Sequence, residues 1–175
     1  MKIIAFAGSN SHNSINKKLV TYVANLFEDA TVEVLDLNDY ALPVFSVDLE
    51  QEIGKPQLAT DFLEKLASAE MIVVSLAENN GNYSVAFKNI FDWSSRQLKD
   101  VFQQKAVLLM ATSPGARGGA SVLEIAKNSL PRYGANIVAT FSLPGFYENF
   151  DVDKKQISNP LFDNQIKDIV KEFSF

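Results

Sequence analysis

Five short apolar runs, Ile3 to Ala7, Val32 to Leu37, Met71 to Leu76, Ala106 to Ala111 and Ile137 to Leu143, recur along the chain, and a helix-periodic segment follows each. Four of the runs are nearly unbroken in Ile, Val, Leu, Phe and Ala, the pattern of strands covered on both faces. The second alternates more and suits a sheet edge. Helical spacing places Ile15, Leu19, Tyr22, Val23 and Leu26 on one side of residues 14 to 28. It recurs over residues 57 to 68, 84 to 98, 119 to 132 and 160 to 173. Strict alternation of strand and helix predicts right-handed crossovers and an α/β three-layer sandwich, a parallel sheet with helices on both faces. Ligands of such sheets bind outside the carboxyl ends of the strands. Chemistry is therefore expected in the loops after the first, third and fourth strands.

With 175 residues the chain fits one domain, residues 1–175. It has no internal repeat, low-complexity tract or linker, and the polar stretch from Gly145 to Asn159 reads as a long loop before the last helix. A net charge of -5 argues against a nucleic-acid partner, which demands clustered Lys and Arg. No cysteine and one histidine leave no disulfide, no thiolate nucleophile and no zinc cluster, and no magnesium motif is evident. The apolar start stops at Gly8-Ser9, too soon for a signal peptide, and no stretch approaches a membrane span. A cytoplasmic enzyme or binding protein is the expected class.

The loop after the first strand, Gly8-Ser9-Asn10-Ser11-His12-Asn13-Ser14-Ile15-Asn16, is small or polar up to Ser14 and runs directly into a helix. Hydroxyls, amides and free N–H groups at a helix N-terminus make a cradle for a phosphate. Helix capping alone would explain Ser14 but not the dense polar run. The loop has only the first glycine of a G-x-G-x-x-G dinucleotide motif, so Asp36, at the end of the second strand, is a weak ribose ligand; a P-loop is absent. His12 reads as an exposed loop residue.

After the third strand comes Ala77-Glu78-Asn79-Asn80-Gly81-Asn82-Tyr83-Ser84, then Lys88-Asn89-Ile90-Phe91-Asp92-Trp93; after the fourth comes Thr112-Ser113-Pro114-Gly115-Ala116-Arg117-Gly118-Gly119. With these segments the chain resembles the NADPH-dependent FMN reductase family. That family carries a phosphate loop G-S-x-R-x-x-S-x-N, a segment like P-E-Y-N-x-S-x-P-x-x-L-K-N-x-I-D-W and a loop like S-x-G-x-x-G-G. The three occur here in order at the ends of the three expected strands.

The resemblance implies a flavodoxin-like fold with a five-stranded parallel sheet in the order 2-1-3-4-5. It also implies FMN as cofactor and NADPH or NADH as co-substrate. Gly8, Ser9, Ser11, Ser14, Ile15 and Asn16 fall on the loop that binds the FMN phosphate. Glu78, Asn79, Asn80 and Gly81 fall on the loop bordering the isoalloxazine ring, and Ser113, Pro114, Gly115, Arg117 and Gly118 on the loop closing its other edge. No residue is assigned as catalytic, because the flavin carries the chemistry; Arg117 has an electrostatic role or is a solvated loop arginine. For the three glycines at 115, 118 and 119 a plain strand-to-helix turn stays open beside ring contact. Trp93 is read as packing or subunit contact, and Lys88 with Asp92 as a surface pair.

The chain departs from the family pattern at Ser11, where an arginine is usual, at Asn79, where a tyrosine is usual, and at Ser84, where a proline is usual. The expected function is hydride transfer from NAD(P)H to FMN and on to a small-molecule acceptor such as a quinone, azo compound, flavin or metal oxyanion, in a homodimer or homotetramer. The alternatives are a flavodoxin-like electron carrier without nicotinamide oxidation, and a fold that has lost flavin and serves protein contacts.

Overall fold

The computed structural model describes residues 1–173. In chain order the first elements are β1 (Lys2–Gly8), α1 (Ile15–Ala24), β2 (Thr31–Leu35), a 3₁₀ turn over Leu37–Tyr40, α2 (Val47–Ile53) and α3 (Gln57–Ala67). Next come β3 (Met71–Leu76), a hairpin of β4 (Glu78–Asn79) and β5 (Asn82–Tyr83), α4 (Val85–Gln97) and β6 (Ala106–Thr112). The chain continues through α5 (Ala120–Ser129), a 3₁₀ turn over Leu130–Tyr133, β7 (Asn136–Leu143) and α6 (Phe146–Asn149). A hairpin of β8 (Phe150–Asp151) and β9 (Gln156–Ile157) leads into α7 (Pro160–Lys171).

Five strands form one parallel sheet in the order β2-β1-β3-β6-β7, the expected 2-1-3-4-5 arrangement, with the chain reversing direction across the sheet between β1 and β3. The period of two along each strand divides the core. Ile4, Phe6, Ile72, Val74, Val107 and Leu109 join the cluster under α3, α4 and α5. Ile3, Ala5, Met71, Val73, Leu108 and Met110 join the one under α1 and α7. The helices that follow the apolar runs bury residues of their predicted stripes, Leu19 and Val23 from α1, Phe62 and Leu66 from α3, Phe87 and Ile90 from α4; α1 buries Val20 as well, with Ile15, Tyr22 and Leu26 half-buried, and α2 buries none.

Two sequence expectations need correction. The run Ile137 to Leu143 reads as covered on both faces, yet β7 is an edge strand whose first five residues are half-buried or exposed. Ile137 packs with the core cluster under α5 and Val138, Ala139, Phe141 and Leu143 with the one under α7, so both faces are covered in part, and a continuous apolar run does not distinguish an edge position from a central one. The stretch Gly145 to Asn159 is not a structureless loop. It holds α6 and the β8–β9 hairpin, pinned by the buried residues Phe146, Phe150 and Ile157.

Trp93 is packing: it is 1% exposed, its Nε1 donates to the Pro43 carbonyl at 2.8 Å, and its ring meets Phe45 edge-on at 5.1 Å. Lys88 and Asp92 form the expected surface pair at 2.8 Å. Beside Trp93, Ser94 is fully buried and its hydroxyl finds no hydrogen-bond partner among the described residues. A desolvated, unpartnered hydroxyl opposes folding, and alanine is the better helix former. Ser94→Ala is therefore expected to stabilise the fold by about 1 kcal/mol, read as a higher urea midpoint at unchanged slope. No described helix is long and apolar enough to cross a membrane.

Candidate functional site

The loop between β1 and α1 delivers the N-terminus of α1 to the carboxyl end of the sheet. Ser14 is the N-cap: its hydroxyl oxygen accepts from the Lys17 N–H at 3.1 Å, which leaves the hydroxyl proton free to donate. The N–H groups of Ile15 and Asn16 lie in the first helical turn, where no intrahelical acceptor exists. Ser9 Oγ accepts from the Ser11 N–H at 3.2 Å and steadies the loop. No carboxylate stands in this segment, so the partial positive charge of the helix end is unopposed within it. His12 is exposed, as expected.

Asp36 lies outside this cradle's chemistry. It is paired with Lys17 and accepts from the Asn38 backbone N–H at 2.9 Å, capping the 3₁₀ turn. The Lys17 hydrogen bond, with the Asn38 N–H behind it, holds its carboxyl below the usual carboxylate range. A lowered folded-state pKa contributes stability above the unfolded value and loses it as the pH falls through the folded one. Asp36→Asn is expected to lower stability by about 0.5 kcal/mol at neutral pH, a gap that closes in urea melts taken below about pH 4.

At Asn16, which the resemblance puts on the phosphate loop, the side chain is taken up within the protein. Its side chain is buried, with Oδ1 accepting from Ser75 Oγ at 2.7 Å and from the Thr112 N–H at 3.0 Å, and Nδ2 donating to the Thr112 carbonyl at 3.2 Å. The amide thus fastens α1 to the ends of β3 and β6 and leaves only its backbone N–H for a ligand. Ile15 packs its side chain against the core under α1, so it too offers only backbone.

The second loop folds into the β4–β5 hairpin, with Asn80 at φ +52° and Gly81 at φ +74°. Two successive left-handed residues make the turn that matches strand twist, and Asn-Gly is its strongest sequence signal. That signal stands in the sequence. Glu78 reaches α5: Oε2 accepts from the Val122 N–H at 2.9 Å, supplying a cap to that helix, whose N-cap Gly119 has no side chain. Tyr83 packs on Phe87 and meets Ser129 Oγ at 2.8 Å, and burial pushes its hydroxyl pKa up.

Ser84 replaces the constraint a proline would give by hydrogen bonding. Its hydroxyl donates to the Gly8 carbonyl at 2.7 Å and accepts from the Phe87 N–H at 3.1 Å, tying the first loop to the start of α4. In Gly8 the hydrogen in place of Cβ serves packing, because a Cβ would stand 2.8 Å from Leu76 Cδ2.

The third loop is braced from the end of β7. The Gly145 N–H donates to the Gly115 carbonyl and the Phe146 N–H to the Ser113 carbonyl, both at 3.0 Å, while Ser142 Oγ donates to the Gly118 carbonyl at 2.9 Å. The glycines divide by role. Gly118 at φ +56° lies against Ser142 and Pro144, whereas a Cβ on Gly115 would meet nothing within 4 Å. The turn reading thus holds for Gly118, and Gly115 presents bare backbone to open space. Pro114 and Arg117 are exposed, and Arg117 donates to Ser121 Oγ at 2.9 Å.

Side-chain bonds from Asn16, Ser84 and Glu78 therefore join the three loops pairwise at the ends of β1, β3 and β6. The model of the NADPH-dependent FMN reductase family matches residues 1–148. The chain belongs to that family. Among curated relatives, this FMN reductase family member is 30% identical over 122 residues to the 2-hydroxy-1,4-benzoquinone reductase of a Burkholderia species, covering 69% of this chain and 64% of that one. It is 28% identical over 121 residues to the quinone reductase of Escherichia coli K12, again covering 69% of this chain and 64% of the relative. The chain thus spans somewhat under two thirds of those relatives' length. A solved structure of similar fold is the flavoenzyme NAD(P)H:(acceptor) oxidoreductase FerB of Paracoccus denitrificans, with TM-score 0.77, 22% identity, and coverage of 98% of this chain and 94% of that one.

Proposed function

We propose that this FMN reductase family member oxidises NAD(P)H and passes the reducing equivalents through FMN to a small acceptor such as a quinone, azo compound, flavin or metal oxyanion. The observation that carries the reading is the convergence of the α1 N-terminus, the Asn80-Gly81 hairpin and the open backbone at Gly115 on one end of the sheet. Relatives named quinone reductase and NADH-dependent flavin reductase subunit 2 support it.

The donor set fits FMN. The hydroxyls of Ser9, Ser11 and Ser14 and the N–H groups of Ile15 and Asn16 would hold the phosphate, with the helix end supplying the charge that Ser11 no longer brings. Gly115 lets backbone approach a flat ring closely, and Asn79, Asn80 and Gly81 border its other edge. FMN, when bound, supplies the hydride-accepting and hydride-donating chemistry. Arg117, exposed at the rim, gives positive potential for negative charge on the ring or for a nucleotide phosphate.

The same reading makes the chain a single cytoplasmic domain, residues 1–175, acting as a homodimer or homotetramer. The exposed Val44, Val47 and Val85, at the starts of α2 and α4 or beside them, support self-association, which sedimentation velocity checks.

The test is the visible spectrum of the protein reconstituted with FMN, before and after anaerobic NADPH and then NADH. Retained flavin that bleaches promptly is the expected result. Retained flavin that stays oxidised favours the electron carrier, and failure to retain flavin overturns both.

A further inference from the structure

A groove of about 500 Å³ runs between α1 and the β8–β9 hairpin. Thr21 and Tyr22 of α1 and its C-cap Asn25 form one wall, and Phe150, Val152 and Lys155 of the hairpin segment form the other. Its floor is apolar. The Tyr22 and Phe150 rings meet edge to face at 6.1 Å, the Tyr22 hydroxyl is engaged by Asp163, and Val152 is exposed.

The groove is also lined by His12, Lys17, Lys18 and Lys155 and, among the described residues, by no carboxylate. Among those residues only Lys17 is neutralised, by Asp36. Lys18 reaches just the Asn13 carbonyl at 3.4 Å, and His12 and Lys155 have neither a hydrogen bond nor an ion pair among the described residues. The nearby Asp151 carboxylate is already committed to the backbone N–H groups of Asp153 and Lys154 and to the Lys154 ammonium. Cations without counter-ions around an aromatic floor select a ligand with an apolar body and an anionic head. The volume lies within the ordinary range for a small-molecule site.

We propose that this groove binds an amphipathic organic anion, an aromatic or short-chain carboxylate, sulfonate or phosphate, at a site separate from the flavin. Tyr22, Phe150 and Val152 would cover its body, while Lys18 and Lys155 hold its head. Ser14, the cap of α1, stands where this groove borders the phosphate cradle.

The probe is anilinonaphthalene sulfonate, titrated calorimetrically into protein saturated with FMN, or into the flavin-free chain if no flavin is retained. Failure of the flavin reading therefore leaves this test intact. One equivalent is expected to bind, FMN leaving the affinity unchanged. Lys18→Glu/Lys155→Glu is expected to weaken it by about tenfold or more, and added salt to weaken it in the parent protein. Phenylnaphthylamine, which lacks the sulfonate, should be insensitive to the charge reversal. Amide shifts induced by the probe should cluster in residues 12–25 and 150–157. Affinity unaltered by the double substitution and by salt, displacement of the probe by FMN, or absence of binding would each overturn the proposal.

Discussion

Replacing Asn16 by alanine is expected to destabilise the protein by about 3 to 4 kcal/mol, lowering Tm by roughly 10 °C. The substitution removes a short side chain, so the effect does not come from lost apolar burial. It strips the buried Ser75 hydroxyl and the Thr112 N–H of their acceptor and the Thr112 carbonyl of a donor. Buried polar groups left without partners lose their full desolvation energy, which exceeds the net value of the bonds themselves. Because the same amide fastens α1 to β3 and β6, FMN affinity should fall with stability. Asn16→Asp sharpens the test. It keeps Oδ1 for Ser75 and Thr112 but sets a carboxylate oxygen against the Thr112 carbonyl, so it should be no more stable than alanine. Thermal melts of both variants within 1 kcal/mol of the parent would remove Asn16 from its positioning role.

Gly118→Ala should cost a further comparable amount, about 3 kcal/mol, for a different reason. A Cβ at φ +56° carries about 1 kcal/mol of backbone strain, and it would also stand 2.9 Å from the Pro144 nitrogen and collide with Ser142 Oγ. Relief requires the third loop to move away from the end of β7, which should weaken FMN binding by about tenfold or more. Gly115→Ala is the comparison. Its Cβ enters open space, so stability should hold within about 0.5 kcal/mol while a ring lying against that backbone is pushed away. Equal loss of stability in the two variants would contradict the division of roles between these glycines.

Much of the fold is legible in the sequence because burial imposes periodicity. The nearly continuous apolar run Met71–Leu76 fits the central strand it forms, and the alternating Val32 to Leu37 announces an edge, as β2 proves to be. Less of the site is legible. Ser84, Ser75 and Thr112 look unremarkable in the chain, yet each spends a hydroxyl or backbone group on joining loops far apart in sequence. Asn16 and Glu78 carry the right letters for a ligand site, and their side chains turn instead to the protein's own backbone. The Asn80-Gly81 turn was readable by local rules, since its conformation depends on those two residues alone.

By itself, the sequence determined the alternation of the five sheet strands with the main helices, the loops at which a ligand would be sought, and the polar, carboxylate-free composition of the first of them. Those are consequences of local composition and spacing. Only the tertiary structure decided which polar side chains satisfy buried groups of the protein itself. That choice depends on which donors and acceptors the sheet brings within 3 Å, as Ser75 and Thr112 are brought to Asn16. It also alone revealed the cationic groove, because Lys18 and Lys155 meet only after the last hairpin has folded back against α1.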